Sequence, residues 1–180
     1  GAIMALASVV SRALDGIDAL EVAVEVHLGG GLPCFSLVGL PEAEVREARD
    51  RVRAALLTCN FDFPQRHITA NLAPADLPKE GGRFDLPIAL GILAASGQIK
   101  PAWLAGIEFA GELSLTGALR PVRGALAMAL ASIRADRQLL LPAENAAEAS
   151  LARGARVIAA HSLLEVVAHL SGQAPLAFEG

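Results

Sequence analysis

The stretch DLPKEGGRFDLPIALGILAASG, Asp76 to Gly97, joins a loop of five charged residues and two adjacent glycines to the most apolar helical segment of the chain. Asp85 suits a helix N-cap, and Pro87 suits the first turn, where no N–H is needed. From Leu86 to Ala95 nearly every side is apolar, so the pattern predicts a helix covered all round that stops at Gly97. The loop must then arch over the helix N-terminus, where backbone N–H groups favour negative charge. Two readings stand: an ordinary charged turn ahead of a core helix, or a working surface set on a buried support.

The flanks of this helix carry alternating strand and helix signals. Arg66 to Leu72 reads as a strand with Ile68, Ala70 and Leu72 inward. Upstream, Ser8 to Leu14 and Leu20 to Leu28 read as strands joined by the turn DGID in a hairpin. In the second of them Leu20, Val22, Val24, Val26 and Leu28 oppose Glu21, Glu25 and His27, the pattern of an antiparallel strand wetted on one side. The glycine-rich GGGLP, Gly29 to Pro33, lacks the Lys and Ser/Thr that end a phosphate-cradling loop, and reads as a hairpin loop into an apolar strand ending at Leu40. Pro41 to Leu57 predicts an amphipathic helix with Glu42–Arg46 and Glu47–Arg51 pairs on its outer face, leaving Arg49 and Arg53 without an acid one turn earlier.

Beyond Gly97, Ile107 to Leu113 reads as a strand. SLTGALRPVRG follows as turn and loop, with Gly117 and Gly124 bracketing Arg120, Pro121 and Arg123. Helix is predicted over Ala125 to Ala135, and short strands over Gln138 to Leu141 and Val157 to Ala160. Asn145 with Glu148 suggests a capping box for a helix ending at Gly154, and Ser162 with Glu165 one for a last helix reaching Ser171. This order describes an α+β domain, α/β-like, with a mixed sheet and helices.

A chain of 180 residues accommodates one domain of ordinary size. The net charge of −4 excludes a generally basic, nucleic-acid-coating surface. No apolar run approaches the ~20 residues of a membrane span. Cys34 and Cys59 lack metal-ligand spacing and read as reduced thiols in a cytoplasmic setting. His161 and His169 have the wrong spacing to bind a metal together on one helix face. Residues 1–3, ahead of Met4, read as an expression scar, 4–172 as a single domain and 173–180 as the start of a linker.

Three segments carry a family resemblance: FSLVGLPEAEVREARDRVRAAL from Phe35, ITANLAPADLPKEGGRFDLPIALGILAASGQI from Ile68, and FAGELSLTGALRPVRGALAMAL from Phe109. In order and spacing they resemble the N-terminal Lon-like (ChlI-type) domain of the bacterial magnesium-chelatase-like AAA+ proteins, the ComM/YifB family. The resemblance implies a fold like the proteolytic domain of Lon protease, which is ribosomal protein S5 domain 2-like, standing ahead of an AAA+ motor. ATP and Mg2+ are expected for that motor, since no Walker A sequence occurs in this chain. The resemblance further implies a cytoplasmic hexamer acting in DNA branch migration and recombination during natural transformation. Its partners would be its own motor domain, neighbouring subunits and DNA, with no membrane.

Lon-type proteolysis needs a serine two residues after the glycine of a PKxG loop and a lysine on a later helix. In this chain PKEG is Pro78 to Gly81, so the resemblance puts the serine position on Arg83 and the lysine position near Leu126. Neither half of the dyad is present, and no catalytic, cofactor or metal residue is expected in this domain. The expected contact residues are Lys79, Glu80, Arg83, Asp85, Arg120 and Arg123, meeting either DNA phosphates or carboxylates of a neighbouring subunit, since an arginine fork binds both. Internal pairing of Arg83 with Asp85 or Glu80 is the ordinary alternative. A divergent peptidase using Ser114 or Cys34 is a competing class, with no general base visible beside either. Metal insertion into a tetrapyrrole, suggested by the family's name, has no cluster of His, Cys or carboxylate behind it.

Overall fold

A computed structural model describes residues 5–79 and 81–180. Residues 1–3, Met4 and Glu80 lie outside the described residues. The hairpin forms around DGID: β1 (Ala5–Asp15) and β2 (Asp18–Gly29) are antiparallel, paired from Ala5 with Leu28 to Asp15 with Asp18. Gly16, at φ 62°, supplies the left-handed backbone that this two-residue turn requires.

β3 (Cys34–Val38) and α1 (Glu42–Thr58) follow, then β4 (His67–Ala73). β4 inserts between β2 and β3, antiparallel to the first and parallel to the second. Gly29 to Pro33 is therefore a crossover and not the hairpin loop expected. The faces explain it: Ile68, Ala70 and Leu72 of β4 are fully buried and extend the row of Val22, Val24, Val26 and Leu28, whereas β3 buries only Leu37. The two arginines of α1 without an acid one turn earlier find other partners. Arg49 donates to the Phe35 carbonyl at 2.9 Å, and Arg53 lies 5.3 Å from the centre of the Phe63 ring.

All eleven residues of α2 (Asp85–Ala95) are buried, as its uniform apolarity predicts. It lies so close to the sheet that a Cβ on Gly91 would stand 2.4 Å from a methyl of Val26. Gly97, at φ 78°, ends the segment. Asp85 is not the N-cap expected; Phe84 holds that position after a short 3-10 turn over Gly82–Phe84.

The strand expected over Ile107 to Leu113 is split into β5 (Ile107–Phe109) and β6 (Glu112–Leu113). At the break the Gly111 N–H donates to the Arg83 carbonyl at 2.9 Å, and the Leu86 N–H to the Gly111 carbonyl at 3.0 Å. The turn before α2 thus takes the backbone groups that a continuous strand would need. β6 instead forms a small hairpin with β7 (Leu119–Arg120).

The remaining elements are α3 (Ala125–Arg134), β8 (Gln138–Pro142), α4 (Ala146–Ala149), β9 (Val157–Ala160) and α5 (Leu163–Leu170). Ser162 caps α5 by accepting the Glu165 N–H at 3.1 Å. Asn145 does not cap α4. Its side-chain amide clamps both the N–H and the carbonyl of Val122, at 2.9 and 2.8 Å, and Glu148 accepts the Leu126 N–H at 2.8 Å. With both side chains committed to the loop ahead of α3, the helix expected to reach Gly154 shrinks to one turn.

The main sheet has seven strands in the order β3-β4-β2-β1-β5-β8-β9, and only β2 runs against the others. This is a mixed α/β fold. One core joins the sheet to α1, α2 and α5, and a second joins it to α3 and α4. The second core explains a local reversal in β2: Ala19 is buried against α3, while Leu20, expected inward, is 38% exposed.

Candidate functional site

A cleft of about 300 Å³ opens beside the N-terminus of α2. Four elements line it: α1 through Glu44, the loop through Gly81, Gly82 and Arg83, β6 through Glu112, and the segment before α3 through Pro121, Val122 and Arg123. Glu44 holds the loop by accepting the Gly81 N–H at 3.1 and 3.2 Å. Glu112 packs so tightly against the loop that a Cβ on Gly82 would stand 2.1 Å from its carboxylate oxygen. Gly82 therefore makes room for the Glu112 side chain, and its backbone φ is not one reserved for glycine.

Asp85 lies beneath this cleft, 1% exposed. Its carboxylate accepts from Arg51 Nε and Nη2 at 2.6 and 3.2 Å and from the Leu113 N–H at 3.1 Å, tying α1, α2 and β6 together. Burial pushes its pKa up to about 6, against the pull of Arg51 and the Leu113 N–H, and Glu112 adds to the rise. Arg51 answers mainly to Asp85, which raises its pKa. Its expected helical partner Glu47 stands 3.9 Å away.

Lys79 and Arg83 are also buried. The Lys79 ammonium donates to the Pro74 and Leu77 carbonyls at 2.5 and 2.7 Å, bracing the loop, and burial lowers its pKa against the opposing effect of Asp76. The Arg83 guanidinium donates to the Arg12 carbonyl at 3.4 Å, to the Arg123 carbonyl, and to the sulfur of Met128 at 3.6 Å. Arg123 and Met128 stand on either side of Leu126 in sequence, so Arg83 reaches the start of α3. Of the six expected contact residues, Lys79, Arg83 and Asp85 face inward, Arg120 and Arg123 are exposed, and Glu80 is not among the described residues. Glu44 and Glu112 complete the cleft. No local pattern marked them, because each meets the loop only through the fold.

Among the described residues neither competing nucleophile is hydrogen-bonded to a general base. Ser114 Oγ lies 3.1 Å from Thr116 Oγ1 and accepts the Ala118 N–H at 3.0 Å, the bonding of a turn serine. Cys34 is exposed at the start of β3, beside His67 in register and outside the cleft. Cys59 is buried, which raises its pKa.

ATP and Mg2+ do not suit the residues present. The glycine-rich Gly29 to Pro33 leads into a strand, not a helix, and the cleft carries two carboxylates that repel phosphate. Among the described residues no group of three His, Cys, Asp or Glu could hold a metal ion, and no helix is long and apolar enough to cross a membrane.

Known proteins are similar to this sequence. The family described as subunit ChlI of Mg-chelatase matches residues 24–145. The chain is 54% identical to the competence protein ComM of Haemophilus influenzae over 98% of its own length and 35% of that protein's. It is 51% identical to the uncharacterized protein YifB of Salmonella typhimurium, over 94% of this chain and 34% of the relative. To the uncharacterized protein Rv2897c of Mycobacterium tuberculosis it is 41% identical, over 97% and 35%. It thus spans about a third of the length of these relatives. With a family match over more than half of its residues and identities of 41–54% over nearly its whole length, the chain belongs to the Mg-chelatase ChlI family, as a homologue of the N-terminal region of the ComM and YifB proteins.

Proposed function

We propose that this chain is a non-catalytic assembly domain standing ahead of an ATPase segment in a cytoplasmic, ring-forming protein that remodels DNA during recombination. The observation that carries the proposal is the inward turn of Arg83 onto the carbonyls of Arg12 and Arg123 and the sulfur of Met128. A guanidinium stays protonated at any physiological pH, so it supplies neither a nucleophile nor a base where a Lon-type dyad would stand. What faces solvent beside it is Glu44 and Glu112 with Arg123, and Arg120 on the neighbouring strand. Mixed charge of this kind suits side chains of a neighbouring subunit better than a run of phosphates, because both carboxylates oppose phosphate. ATP and Mg2+ then act in the remainder of the relatives' length.

The test uses the full natural chain carrying Glu112→Gln together with Arg123→Ala. Sedimentation should show smaller assemblies, with forked-DNA affinity falling only as assembly falls. Unchanged assembly together with weaker, less salt-dependent DNA binding would favour direct phosphate contact by Arg120 and Arg123. Selective labelling of Ser114 or Cys34 by a serine- or cysteine-reactive probe would revive the peptidase reading.

A further inference from the structure

The end of the chain is held in place. The Leu176 N–H donates to His169 Nδ1 at 2.8 Å, Phe178 makes a β-bridge with Ile158 at the free edge of β9, and the Glu179 N–H donates to the Val157 carbonyl at 2.8 Å. Gly180 finishes against Ser150, where a Cβ on the glycine would lie 4.0 Å from the serine side chain. The segment therefore rounds the edge of the sheet, from the face that carries α5 to the face that carries α3 and α4.

Exposed apolar side chains collect where it arrives. Leu151, the residue after Ser150, is 70% exposed, and Phe178 is 52% exposed. Leu130 and Ile133 of α3 are 43% and 37% exposed, and they follow Leu126 along one helical stripe. The bond from the Leu126 N–H to Glu148 sets α3 and α4 side by side, so Leu130 and Leu151 each come about one turn after that link. Arg134 and Arg153, both exposed, border the stripe. Single exposed leucines are ordinary, but a group of them beside Gly180, rimmed by Arg134, Arg153 and the exposed Glu148, has the character of an interaction surface.

We infer that the α3–α4 face is the seat of the polypeptide that continues past residue 180 in a protein of the relatives' length, docking through an apolar patch. This rests on the reading that an ATPase segment follows. The relatives match over only about a third of their length, so the occupant is large, and its first residues start beside Ser150. A tether this short gives an effective concentration on the order of mM or higher, enough for a modest patch to hold.

Hydrogen exchange on the 180-residue chain and on the full natural chain tests this. Peptides covering 126–134 and 150–153 should exchange roughly tenfold more slowly in the full chain, with β3 and β4 unchanged. Leu130→Glu with Leu151→Glu should erase that protection and expose the segment after residue 180 to protease. Both sites are exposed, so the melting temperature of the 180-residue chain should stay the same, which separates lost docking from lost folding. Unchanged exchange at 126–134 and 150–153 overturns the inference. So does the same protection arising in the 180-residue chain as its concentration rises, since the occupant would then be a second copy. Protection in a full chain that hydrolyses no ATP would leave the docking intact and remove the functional reading instead.

Discussion

Two buried acids, Asp85 and Glu108, are both held by arginine, but in different company. Glu108 accepts from Arg12 at 2.7 and 2.8 Å and from Arg137 at 3.2 Å, and Arg137 also holds Glu21 at 2.6 Å. Two guanidiniums converge on one carboxylate at the junction of β1 with β5, where Val10 pairs with Glu108. Asp85 has one guanidinium, one N–H and an acidic neighbour, Glu112. It lies under a cleft and not inside a sheet. Around Glu108 two arginines meet two acids, counting Glu21, whereas Asp85 and its neighbour Glu112 share the single Arg51.

The sharpest way to break this contrast is Glu108→Ala. Leaving Arg12 buried without its carboxylate should cost about 3–5 kcal/mol in urea unfolding at neutral pH, whereas the double change Glu108→Leu with Arg12→Met should recover most of it. A loss below about 1 kcal/mol would mean the junction is not held by charge. Arg51→Met should cost less, about 2–3 kcal/mol at pH 7.5, because Asp85 can take up a proton once its partner is gone. The penalty should shrink at pH 5.

Acidity probes Asp85 directly. Its pKa rises from 3.8 in the unfolded chain to about 6 in the fold. Between those values the folded state binds more protons, so its contribution is fully present below the lower value and is lost as pH rises through the upper one. The change is on the order of 1–3 kcal/mol. Asp85→Asn should flatten the stability profile across that window, and a profile unaltered by the change would sink the assignment. The smallest expected effect is Gly82→Ala, about 1 kcal/mol by thermal melting, since Glu112 can swing aside. In a Glu112→Ala background that loss should largely disappear.

The parts of the fold legible in sequence were those written in local periodicity. α2 announced itself by apolarity on every side, β2 by alternation, and α5 by Ser162. Non-local choices stayed hidden. Nothing in RHITANL says that β4 will separate β2 from β3, and nothing in FAGEL says that Gly111 will bond to the turn before α2. Side chains with two possible employments misled for the same reason. Asp85 and Asn145 suit helix caps, yet each serves a partner 28 or 23 residues away in sequence, Leu113 and Val122. Of the candidate site, the loop from Asp76 borders the cleft through Gly81, Gly82 and Arg83. The chemistry of the site was not legible, because Lys79 and Arg83 fold inward while Glu44 and Glu112 arrive from other elements.

The junction of β1 with β5 also sets a schedule. Arg12 and Glu108 are separated by 96 residues, and β1 to β4 are all synthesised before Glu108 exists. As the chain leaves the ribosome, the first four strands can assemble early, but the outer edge of β1 has to wait bare for its parallel neighbour. Long-range parallel pairing is slow, and a waiting edge invites the wrong strand. A hazardous interval therefore opens once β1 has emerged and closes only when β5 follows it, while an unsatisfied Arg12 marks the place that β5 has yet to fill.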